Sequence, residues 1–173
     1  MSENPMRNVV LEKVTLNMGA GEAGPRLEKS KALLEKISEK KVVITRTKKR
    51  TTFGGAKGKS IGVKVTIRGQ LAVELLQKLI RSFDSKLLES QFDNSGNFSF
   101  GVAEYINIPG VKYDPDIGIL GMDVCVTLRR AGFRISKRMV RPKKIGKTHK
   151  ITREEAMEWA RKTLKAEIVK KIE

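Results

Sequence analysis

Hydrophobic and polar residues alternate with a period of two in three stretches of the chain. Val14, Leu16 and Met18 alternate with Lys13, Thr15 and Asn17 in a strand predicted over 7–18. Ile61, Val63, Val65 and Ile67 alternate with Gly62, Lys64, Thr66 and Arg68, and Met122, Val124, Val126 and Leu128 do the same over 122–129. Such alternation marks a strand with one buried and one solvated face. A helical period replaces it elsewhere. Leu27, Leu34 and Ile37 form a stripe over 26–39, with Pro25 at the start, where a missing N–H costs nothing. Leu71, Leu75, Leu79, Ile80, Phe83 and Leu87 predict a second helix over 70–89. Thr152 and Glu155 form a capping box for a third, with Ala156, Trp159 and Ala160 on its apolar side.

The intervening segments are shorter or irregular. A short strand is expected over 42–46 and extended chain over 98–108, with turn chemistry in DNSGN (93–97), PG (109–110) and DPD (114–116). Residues 132–150 have no clear period, and no internal repeat is present. Strands with one polar face imply a sheet covered by helices on one side only. The pattern therefore predicts an α+β layer whose open face is polar and, through Lys13, Lys64 and Arg68, basic.

Charge sharpens this picture. The chain of 173 residues carries a net charge of +17 and a pI near 10.2, which points to a polyanionic partner. Between Glu39 and Glu74 there is no acid and there are ten Lys or Arg; a second acid-free window over 124–153 holds eleven. The length fits one domain over 1–173, with a basic arm at 47–60 and a basic C-terminal extension at 130–173. The arm joins two strands as a long basic loop. It carries Lys48, Lys49, Arg50, Lys57 and Lys59, interleaved with Gly54, Gly55 and Gly58. Glycines let backbone N–H groups approach phosphate closely. Thr47, Thr51, Thr52 and Ser60 add hydroxyls, and Phe53 a stacking surface.

Other chemistries fit poorly. GAGEAG at 19–24 matches the dinucleotide fingerprint G-x-G-x-x-G. The preceding strand is polar on one face, however, whereas a central parallel strand is apolar on both. The next strand ends in Thr45 and Arg46 where a ribose-binding acid belongs, and Glu22 and Pro25 crowd the pyrophosphate position. Arg46 leaves a 2′-phosphate, and so NADP, open as the alternative to a plain glycine turn. His149 is the one histidine and has no carboxylate near it in sequence, and one Cys with one His makes no structural zinc site. Asp114 and Asp116 read as a turn, and Cys125 as an inert strand residue. The sequence thus predicts no enzyme, no cofactor and no metal.

The lone Cys125 suggests a reducing compartment, and the absence of a long apolar run or signal-like N-terminus suggests a cytoplasmic protein without a membrane partner. RNA is favoured over DNA because no helix-turn-helix or zinc finger appears, and flexible basic loops beside a polar sheet suit irregular RNA. A general RNA chaperone remains the alternative within that class.

Four ordered motifs carry a family resemblance. LEKVTLNMGAGE (11–22), ITRTKKRTTFGGAKGKSIGVKVTIRG (44–69), FDNSGNFSFGVAEYINIPGVKYDPDIGILGMDV (92–124) and the strand that follows resemble the ribosomal protein L5 family, which binds 5S ribosomal RNA. The continuation RRAGFRISKRMVRPKKIGKTHKITREEAMEWARKTL (129–164) is similar to the archaeal and eukaryotic branch, and the compact end suggests an archaeon. The resemblance implies a mostly antiparallel sheet with helices on one face. It also implies 5S rRNA on the other face and a place in the central protuberance of the large subunit, among large-subunit rRNA and neighbouring ribosomal proteins. The arm would then reach the P-site tRNA, and a protein of the small-subunit head would complete an intersubunit bridge. By motif match, Lys13, Thr15 and Asn17 are candidate 5S rRNA contacts. Lys64, Thr66 and Arg68 follow by strand logic, with Arg46 beside them. Lys48, Lys49, Arg50, Lys57 and Lys59 form the candidate tRNA-contact loop.

Overall fold

The structure is a computed structural model that describes residues 4–21, 23–50, 56–82 and 85–170. Glu22, Thr51, Thr52, Phe53, Gly54, Gly55 and Phe83, each given a role above, lie outside the described residues. In chain order the elements are β1 (Val9–Gly19), α1 (Pro25–Ser38), β2 (Val43–Arg46), β3 (Ser60–Ile67), α2 (Gln70–Arg81) and β4 (Lys86–Leu88). They continue with β5 (Phe98–Val102), β6 (Met122–Arg130), α3 (Arg153–Leu164) and β7 (Glu167–Val169).

Five strands form one sheet in the order β2-β3-β1-β6-β5, antiparallel at every pairing. Its register explains the core. Val14 lies between Ile67 and Val126, and Leu16 between Val65 and Val124, so alternate residues of three strands share one face. All six are essentially buried. The three helices pack on that face, α1 over β3 and β1, α2 and α3 against β1. Each such Val, Leu or Ile contributes about 1.5–3 kcal/mol when fully buried. The α+β layer with one uncovered face is the architecture the alternation predicts.

One close approach sets the spacing of the strands. A Cβ on Gly62 would lie 2.7 Å from the Met18 carbonyl oxygen and 3.1 Å from Thr45 Oγ1. Only glycine lets β1, β3 and β2 run this close there.

Several expectations need correction. The second helix ends at Arg81 instead of reaching residue 89, and Ser85 takes a left-handed conformation (φ 57°). Leu87 is buried, but on β4, which pairs in parallel with β7 as a separate two-stranded sheet. Three-residue strands are too short to show alternation. Leu71 is 55% exposed, and Ala72 and Leu76 are buried instead, because the buried stripe runs 72, 75, 76, 79, 80. Ile61, assigned to the buried side of its strand, is also exposed, at the arm end of the sheet where the β2–β3 register shifts. The extended chain expected over 98–108 stops at Val102 and gives way to a 3₁₀ turn at Tyr105–Asn107.

The C-terminal extension is bound to the body. Arg130 is 6% exposed and donates from Nη1 to the Lys150 carbonyl (3.2 Å) and from Nη2 to Glu155 Oε1 (2.5 Å). The capping box forms: Thr152 N donates to Glu155 Oε2 (3.0 Å), and Glu155 N to Thr152 Oγ1 (3.4 Å). Partial burial works to raise the Glu155 pKa, but the Thr152 N–H and Arg130 outweigh it and hold the carboxyl below its usual range. Gly96 (φ 78°) packs so tightly on Ile151 that a Cβ would meet its Cγ2 at 2.5 Å. Arg153 donates to the Glu89 carbonyl and tethers α3 to the chain after β4.

Candidate nucleic-acid interface

The uncovered sheet face is built from rows of residues in cross-strand register. One row runs Val43, Lys64, Asn17, Asp123, Gly101. The next runs Thr66, Thr15, Cys125, Ser99, and Lys13 sits opposite Thr127 beyond it. Neighbours within a row have Cβ atoms roughly 4.5–5.5 Å apart. Lys13, Thr15, Asn17, Lys64 and Thr66 therefore share one surface, although up to 53 positions separate them in sequence. Arg68 lies exposed one residue past the end of β3. A register shift between Thr45 and Arg46 sets Arg46 opposite Ser60, and because Val43 and Thr45 pair with Lys64 and Gly62, strand alternation does not bring Arg46 onto the Lys64 face.

This face is mostly polar, with Val43 as an exposed exception, and its cations are not evenly spread. Thr15, Asn17, Gln91, Ser99, Phe100, Gly101, Asp123 and Cys125 line a shallow depression of about 540 Å³ over β1, β6 and β5. Lys13, Lys64, Arg68 and Arg129 lie outside it. Amide, hydroxyl and carboxylate groups occupy the depression and ammonium and guanidinium groups its surroundings. That division suits a ligand whose phosphates pass around the rim while hydroxyls or base edges meet the floor. Desolvation on the floor, and then the Asp123 charge, push the Cys125 thiol pKa up, so the thiolate is disfavoured.

The reading of β1 and β3 alone missed half of this surface. Asp123, Thr127, Arg129 and Ser99 belong to it as well. The signal was present, since Asp123, Cys125, Thr127 and Arg129 alternate with buried Met122, Val124, Val126 and Leu128. Gln91 comes from a 3₁₀ turn, where no periodicity announces a face.

The arm is organised at its base. Thr47 N donates to the Lys59 carbonyl and Gly58 N to the Thr47 carbonyl, both at 2.9 Å. The Thr47 hydroxyl donates to the Ala56 carbonyl at 2.7 Å. It closes the loop and so is not among the hydroxyls offered outward, which corrects its sequence assignment. Lys48, Lys49 and Arg50 are exposed beyond this clasp, and Lys57 and Lys59 are exposed within its span.

The glycine turn at 19–24 has a structural use. Ala20 N and Gly21 N both donate to the Ile61 carbonyl, at 2.9 and 3.0 Å. These amides tie β1 to β3, and the strands flanking β1 are both antiparallel to it, unlike a dinucleotide-binding sheet. Asp114 also serves a turn: its Oδ1 accepts from Asp116 N, and its Oδ2 accepts from Lys36 Nζ at 2.8 Å. The hydrogen bond with Lys36 lowers the Asp114 pKa and raises that of Lys36. His149 Nε2 lies 2.8 Å from the Ala131 carbonyl, and its ring packs edge-on to Phe133.

Comparison with known proteins identifies one family. A family model described as ribosomal protein L5 matches residues 4–52, and one described as the ribosomal L5P family C-terminus matches residues 60–159. The interval between them falls within the arm. The chain is similar to proteins named large ribosomal subunit protein uL5. In Sulfurisphaera tokodaii the identity is 48% over 96% of this chain and 95% of the relative. In Sulfolobus acidocaldarius it is 46% over 96% and 94%, and in Archaeoglobus fulgidus 45% over 91% and 89%.

Proposed function

This chain belongs to the ribosomal protein L5 family, and from that premise we propose that it is a structural, non-catalytic constituent of the large ribosomal subunit that anchors 5S rRNA on its open sheet face. The observation that carries this reading is the cross-strand register. It gathers Lys13, Thr15, Asn17, Lys64 and Thr66 on the sheet face opposite the helices, which no helix among the described residues covers. Lys13, Lys64, Arg68 and Arg46 neutralise phosphates. Asn17 and Thr15, with Asp123 and Ser99, supply the donors and acceptors that distinguish one RNA fold from another. Asp123 accepts hydrogen bonds only, so it favours amino, imino or 2′-hydroxyl donors and repels a phosphate placed over it.

The protein sits in the central protuberance, beside large-subunit rRNA and neighbouring ribosomal proteins. The arm, clasped at Thr47 and exposed beyond it, leaves the platform and meets the P-site tRNA, and a small-subunit head protein lies within its reach. Two RNAs are thus held by two different parts of one chain. Co-purification with 5S rRNA tests the anchor, and competition between 5S rRNA and bulk tRNA tests its specificity. A strong preference for 5S rRNA is expected. Equal affinity for both would mean a general RNA chaperone. Replacing Lys48, Lys49, Arg50, Lys57 and Lys59 together by Gln is expected to spare subunit assembly and disturb tRNA placement.

A further inference from the structure

The loop from Lys137 to Lys144 presents two apolar side chains at its tip. Met139 is fully exposed and Val140 is 73% exposed, more than any other large hydrophobic residue described. The loop around them is firmly built. Lys137 Nζ is 2.6 Å from Glu12 Oε1 on β1, and Lys143 N donates to the Ile135 carbonyl at 3.1 Å. Arg138 N donates to the Arg134 carbonyl (2.9 Å), and Arg138 Nε to the Arg141 carbonyl (3.0 Å), closing the tip from side to side. Arg141 takes a left-handed conformation (φ 46°), which turns the chain sharply just after the apolar pair. A structured turn that leaves two adjacent apolar residues in water is an interaction element more often than a scattered surface residue is.

Its surroundings identify the partner's chemistry. Arg138, Arg141, Lys143 and Lys144 are exposed around the tip, and no acid lies between Asp123 and Glu154. Two side chains cover far less than the roughly 800 Å² per partner of a stable protein interface. Beside a cationic ring they suffice to fill a small apolar surface on a polyanion. The wide, shallow minor groove of an RNA helix is open to such a tip, which can rest on ribose carbons between the 2′-hydroxyls, with phosphates on both sides. Resting on the ribosomal reading above, we propose that this loop is a second RNA-docking element, separate from the sheet face and the arm. In it Met139 and Val140 press into the minor groove of a ribosomal RNA helix, and Arg138, Arg141, Lys143 and Lys144 grip the flanking phosphates.

Contact can be read directly by placing a benzophenone amino acid at position 139 of the full-length protein. The protein is then assembled into large subunits and irradiated. An adduct to ribosomal RNA is expected; an adduct only to a ribosomal protein, or none, overturns the proposal. Energetics can be read by filter binding to purified large-subunit rRNA with 5S rRNA. The double substitution Met139→Ser with Val140→Ser should weaken binding about tenfold, with an unchanged slope against log salt, because apolar contacts release no counterions. Unaltered affinity overturns the role of the tip. Both residues are exposed, so the fold is retained. Failure of the protein to bind 5S rRNA at all would instead remove the anchor reading. Binding of 5S rRNA together with a protein-only adduct at 139 would remove the loop proposal alone.

Discussion

The sheet face and the arm both carry lysines and arginines, but they hold them in opposite ways. On the sheet, Lys13, Asn17 and Lys64 are fixed by ladders on both flanks of β1, so their spacing is set by the strands. On the arm, three cations lie beyond a single clasp made by Thr47, and two more, Lys57 and Lys59, lie within its span. Fixed groups can discriminate among RNA shapes, because misplaced donors and acceptors lose hydrogen bonds. Cations at the end of a clasped loop add charge and reach and read little detail. The placement of Asp123 sharpens this difference. An acid on an RNA-binding surface costs affinity for phosphate, and only a surface that selects by hydrogen bonding benefits from it.

The comparison can be broken most severely at Gly62. Gly62→Val drives a side chain against the Met18 carbonyl and Thr45. It is expected to destabilise the fold by about 2–3 kcal/mol and lower the melting temperature by roughly 5–10 °C in a thermal scan. An unchanged melting temperature would mean that the strand spacing is not set there. Asn17→Ala leaves the core face untouched. It is expected to weaken 5S rRNA binding about tenfold while the melting temperature holds. Equal affinity in a filter-binding assay would take Asn17 out of the interface. The smallest effect concerns whether the C-terminal extension belongs with the fixed part of the molecule. The Glu155 pKa is lowered in the fold. Its contribution is therefore complete above the ordinary carboxylate range and is lost as pH falls through the lowered value. Acidification should loosen α3 and shift Trp159 fluorescence before the sheet's far-UV signal changes. Simultaneous loss of both would show that α3 has no independent response.

Much of the fold was legible because burial imposes a period. Val14, Leu16 and Met18 announce β1, and Thr152 with Glu155 announces the start of α3. What escaped lacks a local period. β4 and β7 have three residues each, and their parallel pairing joins positions about eighty apart. The α2 stripe was misjudged at Leu71, since the choice between 71 and 72 depends on how the helix is rotated against β1. The site was half legible for a related reason. Strand alternation reveals which residues share a face, as with Thr15 and Asn17, but not which strands lie side by side. Asp123 joins Asn17 only through the β1–β6 register. The Thr47 hydroxyl shows the converse: its residue type suits RNA, and its neighbours in space engage it internally.

The most direct test is 5S rRNA binding as a function of salt, for the native chain and for a variant with Lys48, Lys49, Arg50, Lys57 and Lys59 replaced by Gln. If the four cations assigned to phosphates on the sheet's margin each neutralise one, affinity falls roughly 10²-fold between 50 and 200 mM salt. The account predicts that the arm variant keeps this dependence and nearly all of the affinity. A flat salt dependence, or a variant that no longer holds 5S rRNA, would contradict it.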